Sequence, residues 1–491
     1  MLSLEIRPLD LKKDPVAALC VMVAEDKAVQ AHRTLTALVK KAMEPAEFSG
    51  KIGEIMVWRD RTEVAARRVI FLGMGRAEKL TLESFRKGAA RAAARAAALK
   101  CEHLALAAPS ASAMGFETAD LLQALMEGAC LGSYRFEAYK SEPAEYTLSR
   151  LIVRVTGAEA AAHARLPETV TGLCGAVALA RDWINTPSLD KRPPEFSIRL
   201  SAAARSAGLD VEILEKEALA EKKMESLLSV GRGSAAEPRL VIFSRRPAGA
   251  KKHIVLVGKG VTFDSGGLNL KREMAAMKSD MAGAAAVAGA AIAAAHTGLP
   301  CDVTAVMPLA ENMPSGDAVR PGDVVRTYGG KTVEILNTDA EGRLILIDAL
   351  SYAARRFSPD IMVDMATLTG ACAVALGNGY AGVFSRHEEL REAILAAGRH
   401  THERCWPLPL PGDYAEELKS DVADLRNIGK NRWGGAIMAA LFLKEFTGET
   451  PWAHIDMAGP AFSGKSGAYT APGGTGFGVR LLWDLMRRMA E

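Results

Sequence analysis

Four carboxylates and two cationic side chains sit where a largely apolar chain leaves little room for charge. Lys259 and Asp264 follow the apolar run "HIVLV", in "GKGVTFDSGG". Asp280 opens the Ala-rich run in "MKSDMAGAAA". Asp339, Glu341 and Arg343 follow "TVEIL", in "NTDAEGR". Any one of these carboxylates reads as a helix N-terminal charge or an Asx-turn residue. Four that converge repel one another, and burying them costs several kcal/mol each unless cations compensate. Two divalent cations balance four negative charges. Oxygen ligands without Cys or His point to Mg, Mn or Zn. Asp339 and Glu341 are two apart, so an extended segment would turn both the same way. Gly342 would then let the chain turn, leaving Arg343 free to hold an anion at two points.

The elements that must position these groups have the rhythm of an α/β protein. Residues 253–260, 302–310, 332–336, 360–368, 381–385 and 451–459 read as strands. They are apolar throughout rather than alternating, which predicts a sheet covered on both faces. Polar residues at the C-terminal ends of such strands are the expected place for chemistry. Residues 281–295 read as a buried, tightly packed helix, too short and too rich in Ala and Gly to span a bilayer. The run Leu344 to Leu350 predicts a helix behind the polar knot. Earlier in the chain, "VIFLGMG" (69–75) reads as a strand, and 81–100 as a helix with Thr81 as N-cap. A boundary near residue 165 gives a smaller N-terminal α/β domain (1–165) and a larger catalytic domain (166–491). The second would carry a mixed sheet sandwiched between helices.

Composition bounds the class. The chain has 491 residues, 49% hydrophobic and 24% charged, with a formal net charge of +3. That balance is ordinary for a globular protein and gives no sign of nucleic acid or an anionic membrane as partner. The start of the chain lacks a signal-peptide pattern. Seven scattered cysteines without a C-x-x-C pair suit free thiols in a reducing cytoplasm. Lys87, Arg91 and Arg95 share one helix face, which reads as a solvated surface. DNA is the sharper alternative.

The motifs "VGKGVTFDSGGLNLK", "MKSDMAGAAA", "NTDAEGRL" and "MATLTGACAVALG" closely resemble the leucyl aminopeptidase family, the two-metal cytosol aminopeptidases. "SDVADLRNIG", "RWGGAIMAALFLKEF" and "WAHIDMAGPA" extend the likeness over most of 170–491. The resemblance implies that Lys259, Asp264, Asp280 and Glu341 hold one metal. Asp264, Asp339 and Glu341 would hold the other, with the Asp339 main-chain carbonyl assisting. It makes Lys271 the catalytic lysine and gives Arg343 a bicarbonate as general base. Thr367, Leu368 and Gly370 would line the substrate cleft, and Met277 the pocket for the first side chain. The implied cofactors are two divalent ions, Zn or Mn, with Co or Mg as alternatives. The implied assembly is a homohexamer acting on peptide substrates in the cytoplasm, releasing leucine and other N-terminal residues. Two metals about 3.5–4 Å apart lower the pKa of a shared water toward about 7. Lys259 can ligate only as the neutral amine, which requires its pKa to fall.

One stretch departs from the family. Between Lys271 and Asp280 the chain has "REMAAMKS", about two residues shorter than usual, with Arg272 where Pro is common. "MAGAAA" likewise stands for the common "MGGAAA". Lys278 is therefore an outside candidate for the cationic role. His454 and Asp456 read as buried strand residues with structural roles, the histidine with a satisfied hydrogen bond. A two-metal phosphoesterase, a DNA-binding regulator and a structural family member with a dead site are the alternatives weighed.

Overall fold

A computed structural model describes residues 2–27, 29–30, 32–44, 48–59 and 63–490. The chain forms two compact units. One comprises Met1–Gly175 with Lys465–Ala471, the other Ala176–Gly464 with Pro472–Glu491. The change from one to the other falls inside the helix Leu166–Asn185.

The first unit is a six-stranded sheet among the described residues. Its order is Ser3–Arg7, Arg150–Arg154, His103–Ala107, Ala18–Ala24, Val69–Gly75, Ile55–Trp58. All neighbours are parallel except the last pair. The predicted helix runs Leu82–Ala98, and Thr81 caps it by accepting the Ser84 N–H. Lys87, on its basic stripe, reaches back to Glu83 at 3.3 Å. That pairing uses part of the charge a polyanion would need.

The second unit carries a nine-stranded mixed sheet among the described residues. At its centre His253–Gly258 lies parallel to both Asp302–Asn312 and Ile361–Ala366. Trp452–Asp456 continues the parallel set, while Ala381–Phe384 runs antiparallel to Trp452–Asp456 and Arg239–Arg245 antiparallel to Asp302–Asn312. The central strands are buried along nearly their whole length, as apolar runs covered on both faces must be.

The Ala-rich helix Ala282–His296 is buried from Ala282 to Ala294. Its small residues have a steric reason. A Cβ on Gly283 would stand 2.1 Å from the Met365 carbonyl oxygen, and one on Gly258 would stand 2.6 Å from the Gly283 carbonyl oxygen. Helix and sheet backbones therefore touch, and this brings Asp280, just before the helix, beside the end of the central strand. None of the described helices is long and apolar enough to cross a membrane. None of the seven cysteines is in a disulfide.

Two expectations about the polar knot change. The strand Thr332–Ile335 does not join the main sheet. It pairs with Asp323–Arg326 and Leu425–Arg426 in a separate three-stranded sheet. Asp339 and Glu341 do not lie on an extended segment either. Asp339 sits in a turn, and Glu341 is the first residue of the helix Glu341–Phe357, which starts three residues before the predicted run. A carboxylate at that end also favours the helix dipole.

Candidate metal centre

Lys259 lies between the strands His253–Gly258 and Gly260–Asp264, 2% exposed. Its ammonium donates to Asp280 Oδ1 at 2.7 Å and to the Thr367 carbonyl at 2.9 Å, and lies 3.0 Å from Glu341 Oε1. Burial works against that charge, but the carboxylates of Asp280, Glu341 and Asp264 outweigh it and raise the lysine pKa. The expected fall is thus not produced by the protein groups alone.

Asp264 ends its strand and is held on one side. Oδ1 accepts the Gly266 N–H at 2.9 Å and the Asn312 amide at 2.8 Å. Oδ2 lies 2.8 Å from Lys271 Nζ. The same ammonium is 2.5 Å from Asp339 Oδ1, an ion pair without regular hydrogen-bond geometry. Burial opposes the Lys271 charge too, and Asp264 and Asp339 outweigh it. Lys278, the alternative cation, points elsewhere and donates to the Asn185 carbonyl at 3.0 Å.

The residues present fit divalent metal. Asp264, Asp280 and Glu341 are buried and each offers an oxygen, all within 4.8 Å of one another. Asp280 Oδ2 and Glu341 Oε2 are buried with no hydrogen-bond partner. Stranded carboxylate oxygens of this kind are costly unless a cation meets them. Burial, then repulsion from Asp264, pushes the pKa of both up against the pull of Lys259. Asp339, only half-buried, is also raised, mainly by burial.

Several groups that hold this arrangement were not singled out from sequence. Asn312 bonds both Asp264 and the Thr338 carbonyl. Thr338 Oγ1 donates to the Gly266 carbonyl and accepts the Asn269 N–H. Asn427, fully buried, donates to the Asn337 carbonyl and accepts the Leu336 N–H. The Asn427 carbonyl takes a 2.8 Å bond from Arg343. Asn427 lies in "DLRNIG", a segment the resemblance covered without assigning it a role.

Arg343 is buried, and its Nε has no partner. Burial lowers its pKa to about 10, which leaves it charged at neutral pH. Thr367 donates to Asp280 Oδ1 at 2.8 Å, so the expected cleft wall is tied directly to the carboxylates. Leu368 and Gly370 follow it, Gly370 exposed at the start of the helix Gly370–Leu376. Met277 is half-buried on the short turn Ala275–Ser279, and its carbonyl accepts the Asp280 N–H. His454 is buried and has the expected hydrogen bond: Nδ1 is 2.6 Å from Asp364 Oδ1, while Nε2 has no partner. Asp456 accepts the N–H groups of Leu368 and Ala458 and the Thr369 hydroxyl, which fixes the backbone there.

The whole chain has relatives. The catalytic-domain model of the cytosol aminopeptidase family matches residues 178–483, and its N-terminal-domain model matches 22–143. Chains described as "Probable cytosol aminopeptidase" are 42% identical in Syntrophotalea carbinolica, covering 91% of both chains. In Chlorobaculum tepidum the identity is 43%, covering 93% of this chain and 94% of the relative. Among solved structures, "Bottromycin maturation enzyme BotP" superposes with a TM-score of 0.85 at 36% identity, covering 97% of this chain and 99% of the other. The same enzyme in complex with Mn gives 0.86 at 37%, covering 97% and 100%.

Proposed function

The chain belongs to the cytosol aminopeptidase family, and on that premise we propose a two-metal aminopeptidase that releases leucine and other N-terminal residues from peptides. One observation carries the metal dependence: two buried carboxylate oxygens, on Asp280 and Glu341, have no partner within a three-carboxylate group. Asp264, Asp280, Glu341 and Lys259 would hold one ion, and Asp264, Asp339 and Glu341 the other. The ions would supply Lewis acidity toward the peptide carbonyl and the attacking water, and Mn and Zn are the leading candidates. The Mn complex of the BotP structure supports Mn.

The chain's own residues do the rest. Thr367, Leu368 and Gly370 present a wall whose backbone Asp456 holds still. Lys271, as a cation near the carboxylates, would stabilise negative charge on the carbonyl oxygen. Arg343, charged and with a free Nε–H, would hold the bicarbonate that takes the water's proton. Family likeness supports a homohexamer, which light scattering tests directly.

The deciding experiment is a hydrolysis panel of aminoacyl anilides and N-blocked controls. It is repeated after chelation and after return of Mn, Zn, Co or Mg. Activity on free N-termini, lost on chelation and restored by a metal, is expected. Full activity in chelator, or hydrolysis of nitrophenyl phosphate in its place, would overturn the reading.

A further inference from the structure

Lys271 stands between Asp264, which both ions would share, and Asp339, which only the second ion would use. Its ammonium is 2.8 Å from Asp264 Oδ2 and 2.5 Å from Asp339 Oδ1. The other carboxylates are arranged differently. Lys259, itself a prospective ligand, meets one oxygen each of Asp280 and Glu341, and their second oxygens have no partner; with Asp264 they form a three-oxygen group that excludes Asp339. One metal position is therefore preformed. The other has on its oxygens a lysine that is not among the prospective ligands.

We propose that Lys271 competes with the second metal ion for Asp264 and Asp339, so that this ion enters only as the lysine withdraws.

An ion that took these two oxygens would use the lone pairs that now face the ammonium. Two like charges on one pair of oxygens also repel strongly at that range. Charge balance points the same way. With the first divalent ion bound and Lys259 its neutral ligand, four carboxylates against that ion and the Lys271 ammonium leave one negative charge. A second divalent ion overshoots this by one positive charge, which the cluster sheds by releasing Lys271. The lysine has somewhere to go, because it is half-buried on a segment whose neighbours Leu270 and Arg272 are exposed. Its backbone N–H stays bonded to the Ser265 carbonyl at 2.8 Å, so the side chain can swing while the chain holds. Arrival of the second ion would thereby move the lysine from the carboxylates toward the substrate carbonyl.

The inference rests on the metal reading, and the test separates the two. Full-length protein is stripped with a chelator and titrated with Mn by calorimetry, as wild type, Lys271→Met and Lys271→Gln. Lys278→Met is the control. It deletes the same charge a few residues away, from a side chain bonded to Asn185 and not to the carboxylates. The expected result is that both Lys271 variants bind the second ion at least tenfold more tightly, a larger gain than at the first ion, which shares only Asp264 with the lysine, and that the Lys278 control is unchanged. A wild type that takes one ion where the Lys271 variants take two supports the same conclusion. An unchanged second-ion affinity, or an equal gain in Lys278→Met, overturns it. Absence of Mn binding in every form would instead remove the metal reading. Circular dichroism checks the fold. If one Lys271 variant fails to fold, the other carries the comparison.

Discussion

A Cβ on Gly342 would lie 2.5 Å from Cε and 2.7 Å from Nζ of Lys259. The glycine is the second residue of its helix and does not turn the chain. It makes room for the lysine that organises Asp280 and Glu341. That lysine is held at three points and cannot step aside freely. Gly342→Ala is expected to fold, with a far-ultraviolet spectrum like wild type, and to lose about 100-fold in kcat, as displacements near 1 Å do at such centres. Near-wild-type kcat would show that Lys259 can be moved without consequence.

Asn312 offers a cleaner handle on metal affinity than the carboxylates themselves. It donates to Asp264 Oδ1 and leaves Oδ2, which now faces Lys271, as the oxygen a metal ion would take. Groups in that position typically set 10–100-fold in affinity. Asn312→Ala is expected to raise the chelator sensitivity of activity by that range. Asp339→Ala and Glu341→Ala should abolish activity while the fold persists. Full turnover in either would count against the two-ion mechanism.

Asp456 pins the backbone of Leu368 and the hydroxyl of Thr369. Asp456→Ala leaves buried donors unmet, at about 1–3 kcal/mol for each group, and frees the cleft wall. A KM raised about tenfold or more, with metal content unchanged, is the expected outcome of steady-state kinetics paired with metal analysis. A fall in kcat alone would assign Asp456 some other role.

Asp484 gives a prediction far from the metals. Its side chain is buried in the C-terminal helix and accepts from His400 at 3.0 Å, Arg487 at 2.9 Å and Arg488 at 2.7 Å. Burial pushes its pKa up, but these cationic partners outweigh it and bring it down to about 2. A depressed carboxylate stabilises the fold above its unfolded value near 3.9 and loses that contribution as pH falls through 2. The shift corresponds to about 2 kcal/mol. Asp484→Asn is expected to be less stable to urea at pH 6 by that order. The gap to wild type should narrow steadily below pH 4. A pH-independent gap would assign the loss to packing.

The site was largely legible because its residues cluster in short motifs at element ends. Lys259, Asp264, Asp280, Asp339 and Glu341 each sit where an apolar run meets polar residues. Arg343 lay in the same knot. The two-unit α/β plan was legible from the alternation of apolar runs and Ala-rich helices. The helix at 282–296 was readable as buried because nothing polar interrupts it. What misled was local geometry. The spacing of Asp339 and Glu341 suggested a strand, but two residues separate equally well across a turn into a helix. "TVEIL" reads as a strand whichever sheet it joins, since pairing partners are set by distant segments.

The sequence by itself determined which ionisable groups this protein has, their order and the apolar elements that must bury them, because those are properties of composition and local pattern. Only the tertiary structure decided which oxygens stay free and which meet an ammonium. Gly342 makes way for Lys259, Asn312 and Asn427 brace the carboxylate cluster and the neighbouring turn, and Lys271 lies on Asp264 and Asp339 while Lys278 turns to Asn185. Those choices rest on ångström-scale contacts between residues up to about a hundred positions apart, which no local pattern encodes.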